Sequence, residues 1–164
     1  MDVLVQNEAQ RELGFTLLEI IVVTAIVAIL ATLVVPALKN NSTRELNADV
    51  ERFLSLLNQA REEAVLSSRP WRVEIDTDAD TYRFAQSDGG EFVPVKLSLF
   101  AGEFANSSVD ISELEVNGET VTGLAQCVLF PSGEQDSMRA TFSAFDEFQR
   151  VSLPPVGDAR LEER

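Results

Sequence analysis

Residues 14–38 read GFTLLEIIVVTAIVAILATLVVPAL, and Glu19 is the only charged residue among them. At a rise of about 1.5 Å per residue, residues 15–38 form about 36 Å of helix, which exceeds a hydrocarbon core of about 30 Å. A helix also satisfies its own backbone hydrogen bonds, as lipid requires. The stretch therefore predicts a transmembrane or assembly helix over residues 15–38.

Glu19 interrupts this apolar run near its start. A carboxylate inside a membrane helix costs about 2.5–3.5 kcal/mol on insertion scales, so such a residue usually has a partner or a function. Two interpretations stay open from the residues alone. Glu19 either reaches headgroup water, or it neutralises an α-amine created by cleavage between Gly14 and Phe15.

The polar leader, residues 1–14, differs from an ordinary secretory signal. Secretory signals have a basic start and a small-residue cleavage site after the apolar core. Here the leader is acidic, and the candidate cleavage residue, Gly14, precedes the apolar run.

The segment GFTLLE, Gly14 to Glu19, followed by the apolar helix, resembles the class III signal of type IV pilins and type II secretion pseudopilins. The resemblance implies that a prepilin peptidase removes residues 1–14, cutting after Gly14, and N-methylates Phe15. It implies that Glu19 pairs with the N-terminal amine of an adjacent subunit during filament assembly. Pro36 matches the proline that kinks the helix in this family, because proline removes one helical hydrogen bond.

The charges around the helix give a different orientation from the resemblance. Only Arg11 precedes the helix, whereas Lys39, Arg44 and Arg52 follow it. Counting Lys and Arg alone favours the N-terminus outside. The resemblance implies a leader in the cytoplasm and residues 39–164 in the periplasm, and the motif is the more specific signal.

An amphipathic pattern continues the helix beyond Pro36. One face repeats at steps of three and four residues, as in a helix packed on a domain. Its members are Leu46, Val50, Phe53, Leu57, Ala60 and Ala64. The helix should end near residue 68, because Pro70 disfavours the α region at the residue before it.

From Trp71 the apolar pattern has a period of two, which predicts β-strands. Glycine-containing turns separate the strands, and Asn117-Gly118 is a strong hairpin signal. The predicted strands span residues 71–76, 81–86, 92–100, 109–116, 121–130, 138–145 and 148–153. The polar tail, residues 156–164, is expected to be loose.

This layout resembles the pilin fold, an α+β architecture with a long N-terminal helix packed on an antiparallel β-sheet domain. Residues 56–64 (LLNQAREEA) and 128–133 (VLFPSG) are similar to the H-type minor pseudopilins of type II secretion. Glu19 disfavours the K-type subunit. The major subunit's calcium loop is not found in the sequence.

The resemblance implies a non-enzymatic subunit of the periplasmic pseudopilus, which helps to export folded proteins across the outer membrane. Its partners would be major and minor pseudopilins, the prepilin peptidase, the inner-membrane secretion platform and the membrane itself. The alternative is a minor type IV pilin that primes pili or takes up DNA. A membrane-anchored periplasmic enzyme or ligand-binding domain is a third class.

Composition argues against several of these alternatives. Before Lys39 lie four of 27 acidic and one of 13 basic residues, so residues 39–164 hold 23 acidic and 12 basic residues, a net charge of −11. Such a domain is a poor match for nucleic acid. Without histidine, catalytic triads and the common zinc sites are excluded.

The remaining chemical candidates are better explained structurally, and no cofactor is implied. Asp76, Asp78 and Asp80 have the spacing that begins a calcium loop, but the glycine and glutamate of an EF-hand are missing. A solvated turn is the preferred interpretation, with no metal site. Cys127 is expected to be a buried small hydrophobe, and Ser132 lacks a histidine base.

Mass spectrometry of the mature N-terminus tests the processing prediction. We expect the chain isolated from its own host to begin with N-methyl-Phe15, and Gly14→Val to remain uncut because a larger side chain blocks the cleavage position. An intact Met1 in the native chain would contradict the predicted signal.

Overall fold

The computed structural model describes residues 16–105 and 108–162, with the side chains of residues 31–41 excepted. Gly14 and Phe15 lie outside the described residues. The chain divides into two compact units, Met1–Leu38 and Lys39–Arg164, which are described separately below.

The helix α1 spans Leu17–Ser67. Its end follows the predicted boundary closely, because Ser68 has a φ of 53° and Pro70 follows two residues later. The amide of Arg69 donates to the carbonyl of Ala64 at 3.3 Å, which satisfies one of the last helical acceptors.

The predicted apolar face of α1 is confirmed in the second unit. All six of its residues are at most 1% exposed. They are Leu46, Val50, Phe53, Leu57, Ala60 and Ala64. The helix therefore supplies one wall of the domain core.

Among the described residues, ten strands form two five-stranded sheets in which every pairing is antiparallel. The first sheet has the order β3-β2-β1-β7, with β4 paired to β2, and the second has the order β10-β9-β8-β5-β6. The strands are β1 Trp71–Asp76, β2 Thr81–Asp88, β3 Glu91–Pro94, β4 Glu103–Ala105, β5 Asp110–Val116, β6 Glu119–Thr120, β7 Leu124–Leu129, β8 Met138–Ala144, β9 Glu147–Leu153 and β10 Arg160–Leu161.

Two hairpins form where the sequence predicts turns. Asn117 and Gly118 have φ values of 51° and 83° between β5 and β6, and Gly89 and Gly90 have values of 62° and 96° between β2 and β3. Two consecutive positive φ values are typical of the type I′ turns that join adjacent strands.

The predicted strand over residues 92–100 is wrong in its extent. Strand β3 ends at Pro94, and the amide of Phe100 donates to the carbonyl of Leu97 at 2.9 Å in a turn. Proline has no amide to donate to a ladder, so it is confined to strand edges and ends. Alternating apolar residues beyond Pro94 were therefore a misleading signal.

The expectation of a loose tail is also wrong for the described part of residues 156–162. Ala159 is 6% exposed, and β10 pairs with β9. The side chain of Asn58 donates to the carbonyl of Ala159 at 3.2 Å and accepts from its amide at 2.8 Å. Arg61 also pairs with Asp158. These contacts form a clasp between α1 and the tail.

Asn58→Ala tests this clasp. Because the substitution leaves the amide and carbonyl of Ala159 without their side-chain partner, we expect the free energy of unfolding to fall by about 1–3 kcal/mol. The measurement is urea denaturation. Gln59→Ala is the control, since the side chain of Gln59 donates hydrogen bonds to Ser55 in its own helix, and an equal loss in both variants would refute the clasp.

Candidate functional site

The N-terminal end of α1 is built around Thr16 and Glu19. The amide of Glu19 donates to the hydroxyl of Thr16 at 3.2 Å and to its carbonyl at 3.0 Å. Thr16 is therefore the N-cap, and Thr16-x-x-Glu19 matches the capping-box pattern. The helix dipole favours an acidic group in this first turn. The cap fixes Glu19 at the third helical position.

The first unit exposes apolar side chains on all sides of the helix. Their exposed fractions run from 48% to 78%. They are Leu17, Leu18, Ile20, Ile21, Val22, Val23, Ile26, Val27, Ile29 and Leu30. The hydroxyl of Thr24 donates to the carbonyl of Ile20 at 2.9 Å, so the helix itself satisfies this polar group. A helix that is apolar on every side is normally buried.

No helix among the described residues has the length and apolar character needed to cross a membrane. The predicted span includes Phe15 and the side chains of residues 31–38, which lie outside the described set, so it stays a prediction. The backbone of Pro36 lies within α1. Its side chain is outside the described residues, and the kink stays a prediction too.

The second unit contains a charged cluster that the sequence pattern did not reveal. Glu74 is only 6% exposed. It accepts hydrogen bonds from Arg72 and from the Nε of Arg83. The period-two pattern from Trp71 onward, taken alone, puts Glu74 on the solvent side of β1. The pairing of β1 with β2 sets Glu74 opposite Arg83, and an opposite charge at that position is the signal that the sequence offers.

Arg72 extends this cluster across the sheet. It donates to the Oε1 of Gln126 on β7 at 3.2 Å, and its guanidinium lies 4.4 Å from the ring centroid of Phe92. The bond to Glu74 raises the pKa of Arg83. The cluster therefore includes residues of four strands, and Arg72, Glu74, Arg83 and Phe92 line a cavity of about 420 Å³.

The aspartates at the β1–β2 turn have backbone partners. An Oδ1 of Asp76 accepts from the amides of Asp78 and Ala79 at 3.0 and 3.3 Å, and an Oδ1 of Asp80 accepts from the amide of Ile111 at 2.7 Å. The two bonds of Asp76 have the geometry of an Asx turn. The described residues contain no group of three potential metal ligands.

Cys127 and Ser132 occupy structural positions. Cys127 is 1% exposed, as predicted, and burial raises its pKa to about 12. The hydroxyl of Ser132 accepts from the amide of Glu134 at 3.3 Å in the predicted turn. With no histidine in the chain, neither group has an imidazole base.

Comparison with known proteins identifies the family. The model of the family described as type II transport protein GspH matches residues 49–157. The chain belongs to the GspH family. A second model, the prokaryotic N-terminal methylation motif, matches residues 10–35 and includes the capped end of α1. The resemblance to H-type pseudopilins is therefore confirmed.

The similar proteins agree with this assignment. Type II secretion system protein H of Pseudomonas aeruginosa is 39% identical over 67 residues, and the match covers 40% of this chain and 39% of that protein. The chain thus spans about two fifths of this GspH relative.

Solved structures share the fold. The minor pseudopilin EpsH of Vibrio cholerae is similar with a TM-score of 0.59 at 22% identity, over 72% of this chain and 96% of that one. The type IV minor pilin FimU of Pseudomonas aeruginosa has a TM-score of 0.53 at 14% identity, over 74% and 90% of the two chains. At these identities the likeness shows the fold alone, and it confirms the predicted pilin-like α+β architecture.

Alkylation kinetics test the structural interpretation of Cys127. Its folded pKa lies above the ordinary value of about 8.5, so the neutral thiol favours folding fully below that value, and this contribution is lost as pH rises toward 12. We expect iodoacetamide at pH 8 to label Cys127 only after unfolding.

The control is Ser132→Cys in a Cys127→Ala background, which places the thiol at an exposed turn position. Rapid labelling of folded Cys127, at the rate of this control, would contradict its burial.

Proposed function

We propose that this GspH-family chain is a minor pseudopilin, a structural subunit of the type II secretion system without catalytic activity. The observation that carries the proposal is the union of two matched segments in one chain, the GspH domain over residues 49–157 and the methylation motif over residues 10–35. The two segments correspond to the two roles proposed for such a subunit. The GspH domain is the folded domain that it presents, and the motif segment is the helix through which it assembles.

In this proposal residues 15–38 anchor the precursor in the inner membrane, with residues 39–164 in the periplasm. A prepilin peptidase removes residues 1–14 and methylates Phe15. The all-round apolar surface of the described helix supports this arrangement, since such a surface is stable only against lipid or other apolar helices. Pro36 then loosens the helix where it leaves the membrane.

Glu19 is the proposed recruitment group. In a bundle of apolar helices an unpaired carboxylate is unfavourable by several kcal/mol, and the N-terminal amine of a neighbouring subunit removes that cost. The cap at Thr16 holds Glu19 in the first helical turn, near the end where such an amine lies. The pairing therefore selects one register between neighbouring helices.

The assembled helices would form a periplasmic filament with major and minor pseudopilins on the inner-membrane platform, and that filament helps to export folded proteins. A type IV minor pilin is the second candidate, because FimU shares the fold. The GspH family match favours secretion, and the acidic domain disfavours DNA capture.

Glu19→Ala tests the assembly role in the source bacterium after deletion of the native copy. We expect insertion and cleavage to continue, while incorporation into the pseudopilus and secretion fall about tenfold or more, because a loss of 1.4 kcal/mol already changes an equilibrium tenfold. Glu51→Ala removes a carboxylate from an exposed position of the same helix and serves as the control.

Three readouts decide the result, namely the mature N-terminus by mass spectrometry, the amount of the subunit incorporated into the pseudopilus, and the amount of secreted protein in the medium. Native incorporation and secretion in Glu19→Ala would refute the proposed pairing. An equal loss of incorporation and secretion in Glu51→Ala would refute a specific role for Glu19.

A further inference from the structure

The turn between β8 and β9 displays an aromatic side chain. Phe145 is 80% exposed and has a φ of 58°. Ala144 and Glu147 are the last paired residues of the two strands, so Phe145 and Asp146 alone form the connection. The turn places the Phe145 ring at the end of a two-stranded projection.

A positive φ is unusual for a bulky residue. In two-residue hairpins this conformation is normally taken by glycine, asparagine or aspartate. The other described non-glycine residues with positive φ are Ser68, Asp80 and Asn117, which are small or polar. Phe145 is thus strained and receives little compensating burial within its own domain, and such positions cluster at functional sites.

Phe145 belongs to a larger surface that we call the aromatic tip, comprising Phe145, Asp146, Glu147 and Phe148. Phe148 is 44% exposed. All four residues line one open cavity of about 340 Å³, and Ser112, Thr141, Ser143 and Arg150 complete its lining. Arg150 lies 3.6 Å from Glu113 and 3.8 Å from Glu162, so acidic groups surround its charge.

We propose that the aromatic tip inserts Phe145 into an apolar pocket, edged by lysine or arginine, on another pseudopilin subunit. This proposal rests on the proposed function, which supplies such subunits. An exposed aromatic side chain anchors a protein interface by filling a pocket. Asp146 and Glu147 follow Phe145 directly, and their carboxylates favour a pocket that has lysine or arginine at its edge.

A second copy of this chain is a poor occupant. Residues 39–164 carry a net charge of −11 in each copy, so the domains of two copies repel. The concave surface on the first sheet does combine arginine with aromatic side chains, but Glu74 and Glu103 balance the charges of Arg72 and Arg83 there. A different subunit with a basic pocket edge fits the tip better.

Photo-crosslinking at position 145 tests the contact in the full chain, in the source bacterium with its secretion system intact. Phe145→p-benzoylphenylalanine keeps an aromatic ring and makes it reactive to light. We expect a light-dependent adduct with another pseudopilin, mapped to apolar residues beside lysine or arginine. Leu66→p-benzoylphenylalanine is the control at a site 77% exposed, and it should give no such adduct.

An adduct with a second copy, with an exported protein, or with nothing would overturn the proposal. These outcomes are separate from failure of the proposed function, which the Glu19→Ala experiment reports through incorporation. If Glu19→Ala behaves as expected while position 145 gives no adduct with a pseudopilin, the tip contact alone is refuted.

Phe145→Gly gives an independent readout. Because glycine accepts a positive φ without strain, the midpoint of denaturation should rise. The amount of the pseudopilin identified by crosslinking that is co-isolated with the variant should fall about tenfold or more, because the anchoring ring is missing. Leu66→Ala should leave co-isolation unchanged. Native co-isolation in Phe145→Gly would refute the proposed contact, and a lowered midpoint would show that the ring serves the fold.

Discussion

Phe53 is the side chain through which the helix and both sheets meet. Its ring centroid lies 4.8 Å from that of Tyr82 on β2 and 5.1 Å from that of Phe142 on β8. Tyr82 belongs to the first sheet and Phe142 to the second, so one helical residue joins three layers of the core. Because interiors are close-packed, a change at Phe53 reaches both sheets together.

The fold was predictable where a local pattern determines a structure. The helical repeat from Leu46 to Ala64 identified the buried face of α1, and Asn117-Gly118 fixed a hairpin. The tail was missed because its contacts are distant in sequence. Residues 156–162 show no regular apolar pattern, and two of the residues that hold this segment, Asn58 and Arg61, lie far away in the sequence. The apolar alternation after Pro94 carried no information about the lost amide.

The functional assignment depended on different information. Glu19 stands out in the sequence because a charge is costly in an apolar run, so the assembly motif was recognisable without a structure. The roles of Glu74 and Phe145 were not recognisable from the sequence. Glu74 required knowledge of the arginines that bind its buried carboxylate, and Phe145 required its φ angle and its exposed fraction. A one-dimensional pattern of polar and apolar residues contains neither quantity.

The clasp between Asn58 and Ala159 joins residues 101 positions apart. During synthesis Asn58 in the helix is made 101 residues before its partner Ala159. Contacts of such long sequence separation form late, because loop closure must come first. This part of the helix therefore reaches its final packing only after residue 159 has been made, so its contacts with the tail follow synthesis of the strands in between.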